Sequence, residues 1–157
     1  MSESKMLKRL RTLWKDREGS ALVEGTVLMP VLAALFFGVY EFSYIFYQQH
    51  LVSTGVRDAG RYLARVRDPT LGNCQTNARN LATIGSMSDG TYRRVIGWNP
   101  ADVAISVTGP AGDQSIQVTG SFTYAPLGFW GYFGFSLPTI SVTHRERKTP
   151  ELSIGNC

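Results

Sequence analysis

The stretch Arg17–Phe42, REGSALVEGTVLMPVLAALFFGVYEF, decides how this chain is organised. It opens on charged residues, and from Gly25 to Tyr40 it carries no charge at all. Carried past Glu41 through Phe42–Tyr47, the same helix approaches the ~20 residues that a bilayer requires. We therefore read residues 20–47 as one membrane span, with Glu24 near its start and Glu41 toward its far end. Ahead of it, Lys5, Lys8, Arg9, Arg11, Lys15 and Arg17 are opposed by Glu3, Asp16 and Glu18. Lysine and arginine resist translocation, so residues 1–19 are expected to stay in the cytoplasm as a basic leader. The net charge of +4 reads mostly as a topology signal, and a nucleic-acid role is not expected. A cleaved secretory signal would end in a small-x-small site, whereas the bulky Phe36–Phe37 pair and the aromatic continuation point to retention.

Within the leader, Met6, Leu7, Leu10, Leu13 and Trp14 fall at helical spacing among the basic residues. This suggests an amphipathic helix on the inner leaflet. It reads either as a recognition element for a membrane enzyme or docking partner, or as an ordinary positive-inside flank.

Glu24 is the fifth residue after Gly19, and Gly19 marks the change from charged to apolar sequence. With the basic leader before it and Pro30 inside the apolar run, this border resembles the processing signal of type IV prepilins, which a membrane peptidase cuts after the glycine. The longer run VEGTVLMPVLAALFFGVYEFSYIFYQQHLVSTGVRDAGRYLA, with its Gly38-x-x-Glu41-Phe42 step and Arg-Asp-Ala-Gly-Arg-Tyr close, resembles the TadE-like family. That family comprises pseudopilins, or minor pilins, of tight-adherence (Flp) pilus systems. The resemblance covers roughly Arg17–Arg65 and implies a pilin-like subunit of the bacterial inner membrane. It also implies a cut between Gly19 and Ser20, and as partners a prepilin peptidase, other pilin or pseudopilin subunits, an inner-membrane assembly platform and the lipid bilayer. An ionised glutamate costs ~2.5–3.5 kcal/mol at the bilayer centre and so seeks a partner. The new amino group on Ser20 of a neighbouring subunit would supply one, with an unperturbed pKa of ~7.7–8. The other reading of Glu24 is an interfacial acid that reaches water and complements the helix dipole. Pro30 removes the helical partner of the Thr26 carbonyl, which either makes the span pliable for extraction or serves packing alone. Glu41 is open between a water-reached acid and a contact with a partner helix.

Beyond the span, residues 48–157 are expected to form a periplasmic pilin-like domain. Val52, Val56, Ala59, Leu63 and Val66 recur at four- and three-residue steps, which extends the helix as a spine to about residue 67, where Asp68-Pro69 ends it. Arg57, Arg61 and Arg65 form a second row facing water, and Gly55 and Gly60 weaken the helix modestly. A short helix is expected around Asn77–Met87. The period then changes to two. Val103, Ile105 and Val107, the turn Gly109–Asp113, and Ile116, Val118 and Thr119–Tyr124 signal a hairpin. Ile140–Glu146 is a third strand and Tyr92–Ile96 a candidate fourth. The fold class is α+β, a long helix packed on a small antiparallel sheet.

Cys74 and Cys157 both lie on the translocated side, where oxidation is favoured. A bridge between them would pin the tail to the domain; free thiols or an intermolecular bridge are the alternative. His50 and His144 with these cysteines make no convincing zinc set, and no cofactor is expected. The aromatic run Leu127–Phe135, with Phe129, Trp130, Tyr132 and Phe133, is either a contact surface for another subunit, a patch on the outer leaflet, or a loop folded over the sheet edge. No nucleophile, base and orienting group can be assembled from the spacing, so no enzyme is expected. Two other readings compete with the pseudopilin: an uncleaved single-pass scaffold with a periplasmic binding domain, and an adhesin displayed through the aromatic loop.

Overall fold

The computed structural model describes residues 17–124, 134, 139–148 and 157. In chain order these form helix α1 (Arg17–Arg65), helix α2 (Gly72–Ile84), a 3-10 turn (Pro100–Asp102) and strands β1 (Val103–Thr108), β2 (Ser115–Thr123) and β3 (Thr139–Arg147). The chain divides between Phe42 and Ser43 into two compact units. The first contains the apolar part of α1, whose side chains point outward: Leu22, Val27, Met29, Leu32, Phe36 and Val39 are all exposed. A helix apolar on every side belongs in an apolar medium. This is the one described helix long and apolar enough to cross a membrane.

The second unit is α+β. Its sheet has the order β1-β2-β3, antiparallel throughout, with Val118 opposite Ile105 on one side and His144 on the other. Ile116, Val118, Gly120 and Phe122 alternate inward along β2. On α1, Val52, Val56, Ala59 and Leu63 are fully buried and Val66 nearly so, while Arg57, Arg61 and Arg65 are exposed. The three-and-four spacing thus selects the face that enters the core. Helix α1 stops at Arg65, and in the turn beyond it Asp68 accepts hydrogen bonds from the Thr70 amide and hydroxyl.

Trp98, fully buried, fills the centre of this unit. Two glycines make room for it. A Cβ on Gly55 would collide with the carbonyl oxygen of Ala82 in α2 and stand 3.1 Å from the indole. On Gly120 it would stand 2.8 Å from both the indole and the Val56 side chain. Gly60 has the same role toward β3, where its Cβ would meet the His144 ring at 3.1 Å. The spine glycines, expected only to weaken a helix, are the positions where other elements approach it.

Two expectations are corrected. The second helix starts earlier than the expected Asn77, at Gly72, and stops at Ile84 because Gly85 takes the left-handed conformation (φ 84°) and its amide bonds Leu81 O at 3.1 Å. Tyr92–Ile96 is not a strand. The Arg94 amide donates instead to Thr83 O in the last turn of α2, at 2.8 Å, and its guanidinium pairs with Asp58 of the spine at 2.9 Å. Val95 turns inward while Tyr92 and Ile96 are 77% and 81% exposed. The segment therefore lacks both a ladder and an alternating face.

Because Gly120 packs against an indole and a β-branched side chain with little freedom to retreat, Gly120→Ala should destabilise the domain by about 1–3 kcal/mol. Denaturant unfolding of the detergent-solubilised chain will measure this. Gly72→Ala, at a position with nothing within 4 Å, should be neutral.

Candidate functional site

Gly19 and Ser20 lie near the start of α1, as defined by its backbone. Five residues after Gly19, the Glu24 side chain is exposed, and a Cβ on the adjacent Gly25 would find nothing within 4 Å. The acid therefore stands on an open stretch of helix surface. Two residues on, the Thr26 hydroxyl donates to Leu22 O at 2.7 Å. Pro30 is exposed and α1 runs through it without interruption, so the Thr26 carbonyl loses the amide that residue 30 would otherwise offer.

Glu41 differs from Glu24: only 2% of it is exposed. In the second unit Gln48 shares one helix face with Val52 and Val56, at four-residue steps. The buried stripe of the spine thus begins on a polar residue that hydrophobic periodicity does not register. Gln48 is 5% exposed, and its Oε1 has no hydrogen-bond partner among the described residues. Trp98 also escaped the sequence reading. Its signal was faint, a lone tryptophan between Gly97 and Asn99, just past the segment read as a candidate strand.

Cys74, buried near the start of α2, and Cys157 form a disulfide across a sequence separation of 83, and Asn73 Nδ2 donates to Cys157 O at 2.9 Å. Phe129, Trp130, Tyr132 and Phe133 lie outside the described residues. Among the described residues no group of three or more histidine, cysteine or acidic side chains is placed to hold a metal ion.

The end of the sheet away from Thr123 is held by charge. Arg147 Nε and its terminal nitrogen donate to the two oxygens of Asp113 at 2.7 and 2.8 Å, clipping β3 to the β1–β2 turn. That hydrogen bond and charge hold the Asp113 carboxyl below its ordinary range. The Thr70 hydrogen bonds do the same for Asp68, helped by the charge of Lys148, whose ammonium donates to Arg67 O at 2.6 Å.

These features define a class: a chain with one exposed apolar helix at its N-terminal side, an acid just inside the start of that helix, and a small α+β domain built on its continuation. Residues 19–61 are similar to the model of the family described as TadE-like protein. The match begins on Gly19 and ends within the buried stripe of the spine. No curated protein and no solved structure matches the chain.

Replacing both cysteines with serine should cost about 4–5 kcal/mol in the loop-entropy model, read as a lower denaturation midpoint under non-reducing conditions. Asp68 and Asp113 have folded pKa values below their unfolded ones. Their stabilisation is present above the unfolded value near 4 and is lost as pH falls through the folded values. Asp113 is exposed and Asp68 only partly covered, so the effect should be small and weakened by salt. Asp113→Asn should lower stability slightly at pH 7 and flatten the acid limb, its difference from the parent vanishing as pH falls through the folded value of the carboxyl.

Proposed function

We propose that this protein is a pseudopilin or minor pilin, processed by a prepilin peptidase and needed for assembly of a tight-adherence pilus. The carrying observation is the border itself: an exposed Glu24 on an open helix surface, five residues past the glycine on which the TadE-like match begins. In this reading residues 1–19 are a cytoplasmic leader, the apolar part of α1 sits in the bacterial inner membrane, and the α+β domain stands in the periplasm. The protein is then a structural part and a substrate of the peptidase, with no chemistry of its own.

Cleavage after Gly19 needs local opening of α1. Glycine makes that easier, since it is less favourable in a helix than alanine by ~0.8–1.0 kcal/mol. The cut leaves a protonated amino group on Ser20. Glu24, exposed in the single chain, then has a cation to meet on a neighbouring subunit. The pairing removes the cost of a carboxylate facing hydrocarbon and fixes the axial position of one subunit against the next. Other pilin subunits and the membrane assembly platform are the partners that this implies.

The test is to express the full chain with and without its cognate prepilin peptidase and to read the mature N-terminus by intact mass and terminal sequencing. The expected product begins at Ser20, and Gly19→Leu should abolish it. Glu24→Gln should leave membrane insertion unchanged while filament assembly falls at least tenfold. A chain that keeps its leader beside an active peptidase identifies an uncleaved membrane scaffold.

A further inference from the structure

With the ion pairs assigned, one face of α1 keeps its charge. Arg57, Arg61 and Arg65 stand at four-residue spacing and all are exposed, away from the buried Val52, Val56, Ala59 and Leu63. Like charges one turn apart repel. Glu146 of β3 packs against Gly60 beside the row and pairs with His144 at 2.9 Å, and the two acids within a turn of the row along α1 are also committed elsewhere. Asp58 pairs with Arg94 at 2.9 Å, and Asp68 accepts from the Thr70 amide at 2.9 Å and from the Thr70 hydroxyl. Among the described residues, none of the three arginines makes an ion pair. The helix dipole favours a cation in the last turn, which accounts for Arg65 but reaches neither Arg57 nor Arg61. Residues 43–157 hold ten Lys and Arg against seven Asp and Glu, a net charge of +3, so the basic balance is not confined to the leader.

We propose that this face docks a helix of another protein that carries carboxylates at three- or four-residue spacing. Arginines four residues apart rise ~6 Å along the helix axis and so match such a row in register, each able to pair a carboxylate through two parallel hydrogen bonds. Lipid headgroups fit less well. Arg57 lies ten residues past Tyr47, about 15 Å along the helix. The headgroup layer adds only ~5–8 Å to each side of the hydrocarbon. A second copy of this chain fits less well still, because its described residues offer no row of unpaired carboxylates at helical spacing. The docking does not depend on cleavage after Gly19, since a processed subunit and an uncleaved anchor present the same face.

The test places a photo-crosslinking amino acid at Thr54, exposed one turn before Arg57, in the full-length chain in its native cells. The cross-linked peptide is then identified by mass spectrometry. The expected adduct is to another protein, within a segment bearing Asp or Glu at three- or four-residue spacing. Its yield should fall at least tenfold in the Arg57→Glu, Arg61→Glu, Arg65→Glu triple variant and persist in the triple lysine variant. Formation of the Cys74–Cys157 disulfide on a non-reducing gel reports folding; should the triple variant fail there, Arg57→Glu alone should lower the yield about threefold. An adduct to lipid, to a second copy of this chain or to an uncharged segment overturns the proposal, as does no adduct or a yield indifferent to charge reversal. Terminal sequencing of the same sample reports cleavage separately, so failure of one reading is distinguishable from failure of the other.

Discussion

The indole of Trp98 occupies space that exists only because two backbones carry no side chain where they face it. Gly55 on the spine and Gly120 on β2 both lie so close that an added Cβ would crowd the ring, at 3.1 and 2.8 Å. Around this contact the rest of the second unit falls into place. The spine sets Val52 and Val56 against β2, α2 approaches at Ala82, and the segment before β1 is drawn inward through Val95. A protein interior is packed as densely as an organic crystal, so such a contact tolerates little change in volume on any side. It also explains why a long helix carries glycines in its middle: the intrinsic cost of a helical glycine is offset by the packing that it permits.

Most of the architecture was legible in the sequence because hydrophobic periodicity reports burial directly. The four- and three-residue steps from Val52 to Val66 name the buried face of α1, and the switch to period two names β1, β2 and β3. Tyr92–Ile96 misled for a physical reason. Its residue types favour strands, yet its backbone and side-chain bonds run to α2 and the spine, and propensity carries no information about such distant partners. Glu41 and Gln48 were illegible as buried residues because a polar side chain on an apolar stripe contributes nothing to the periodic signal. The border at Gly19 and Glu24 was drawn from the change of charge together with its resemblance to a prepilin processing signal. The exposure of Glu24 and the commitment of Asp58 to Arg94 required coordinates.

The two units answer to different solvents. The apolar part of α1 gains nothing from water and presents large side chains on every side, whereas the second unit hides its apolar residues and closes its sheet with charge. Arg147 and Asp113, both exposed, hold the turn end of the sheet, and the half-buried His144 and Glu146 pair at 2.9 Å on the inner side of the same strand. Polar closure at that end lets β3 stay ordered where its inner face is no longer apolar.

The disulfide also has a mechanical meaning. Tension applied between α1 and Cys157 crosses from the spine to Cys74 and then through a covalent bond, bypassing the 83-residue separation between the two cysteines. Fully extended, that length of chain would span about 280 Å. While the bond holds, none of it can be paid out. A load pulling on the helix meets a short tether, and the sheet inside the covalent ring is shielded from being unravelled strand by strand.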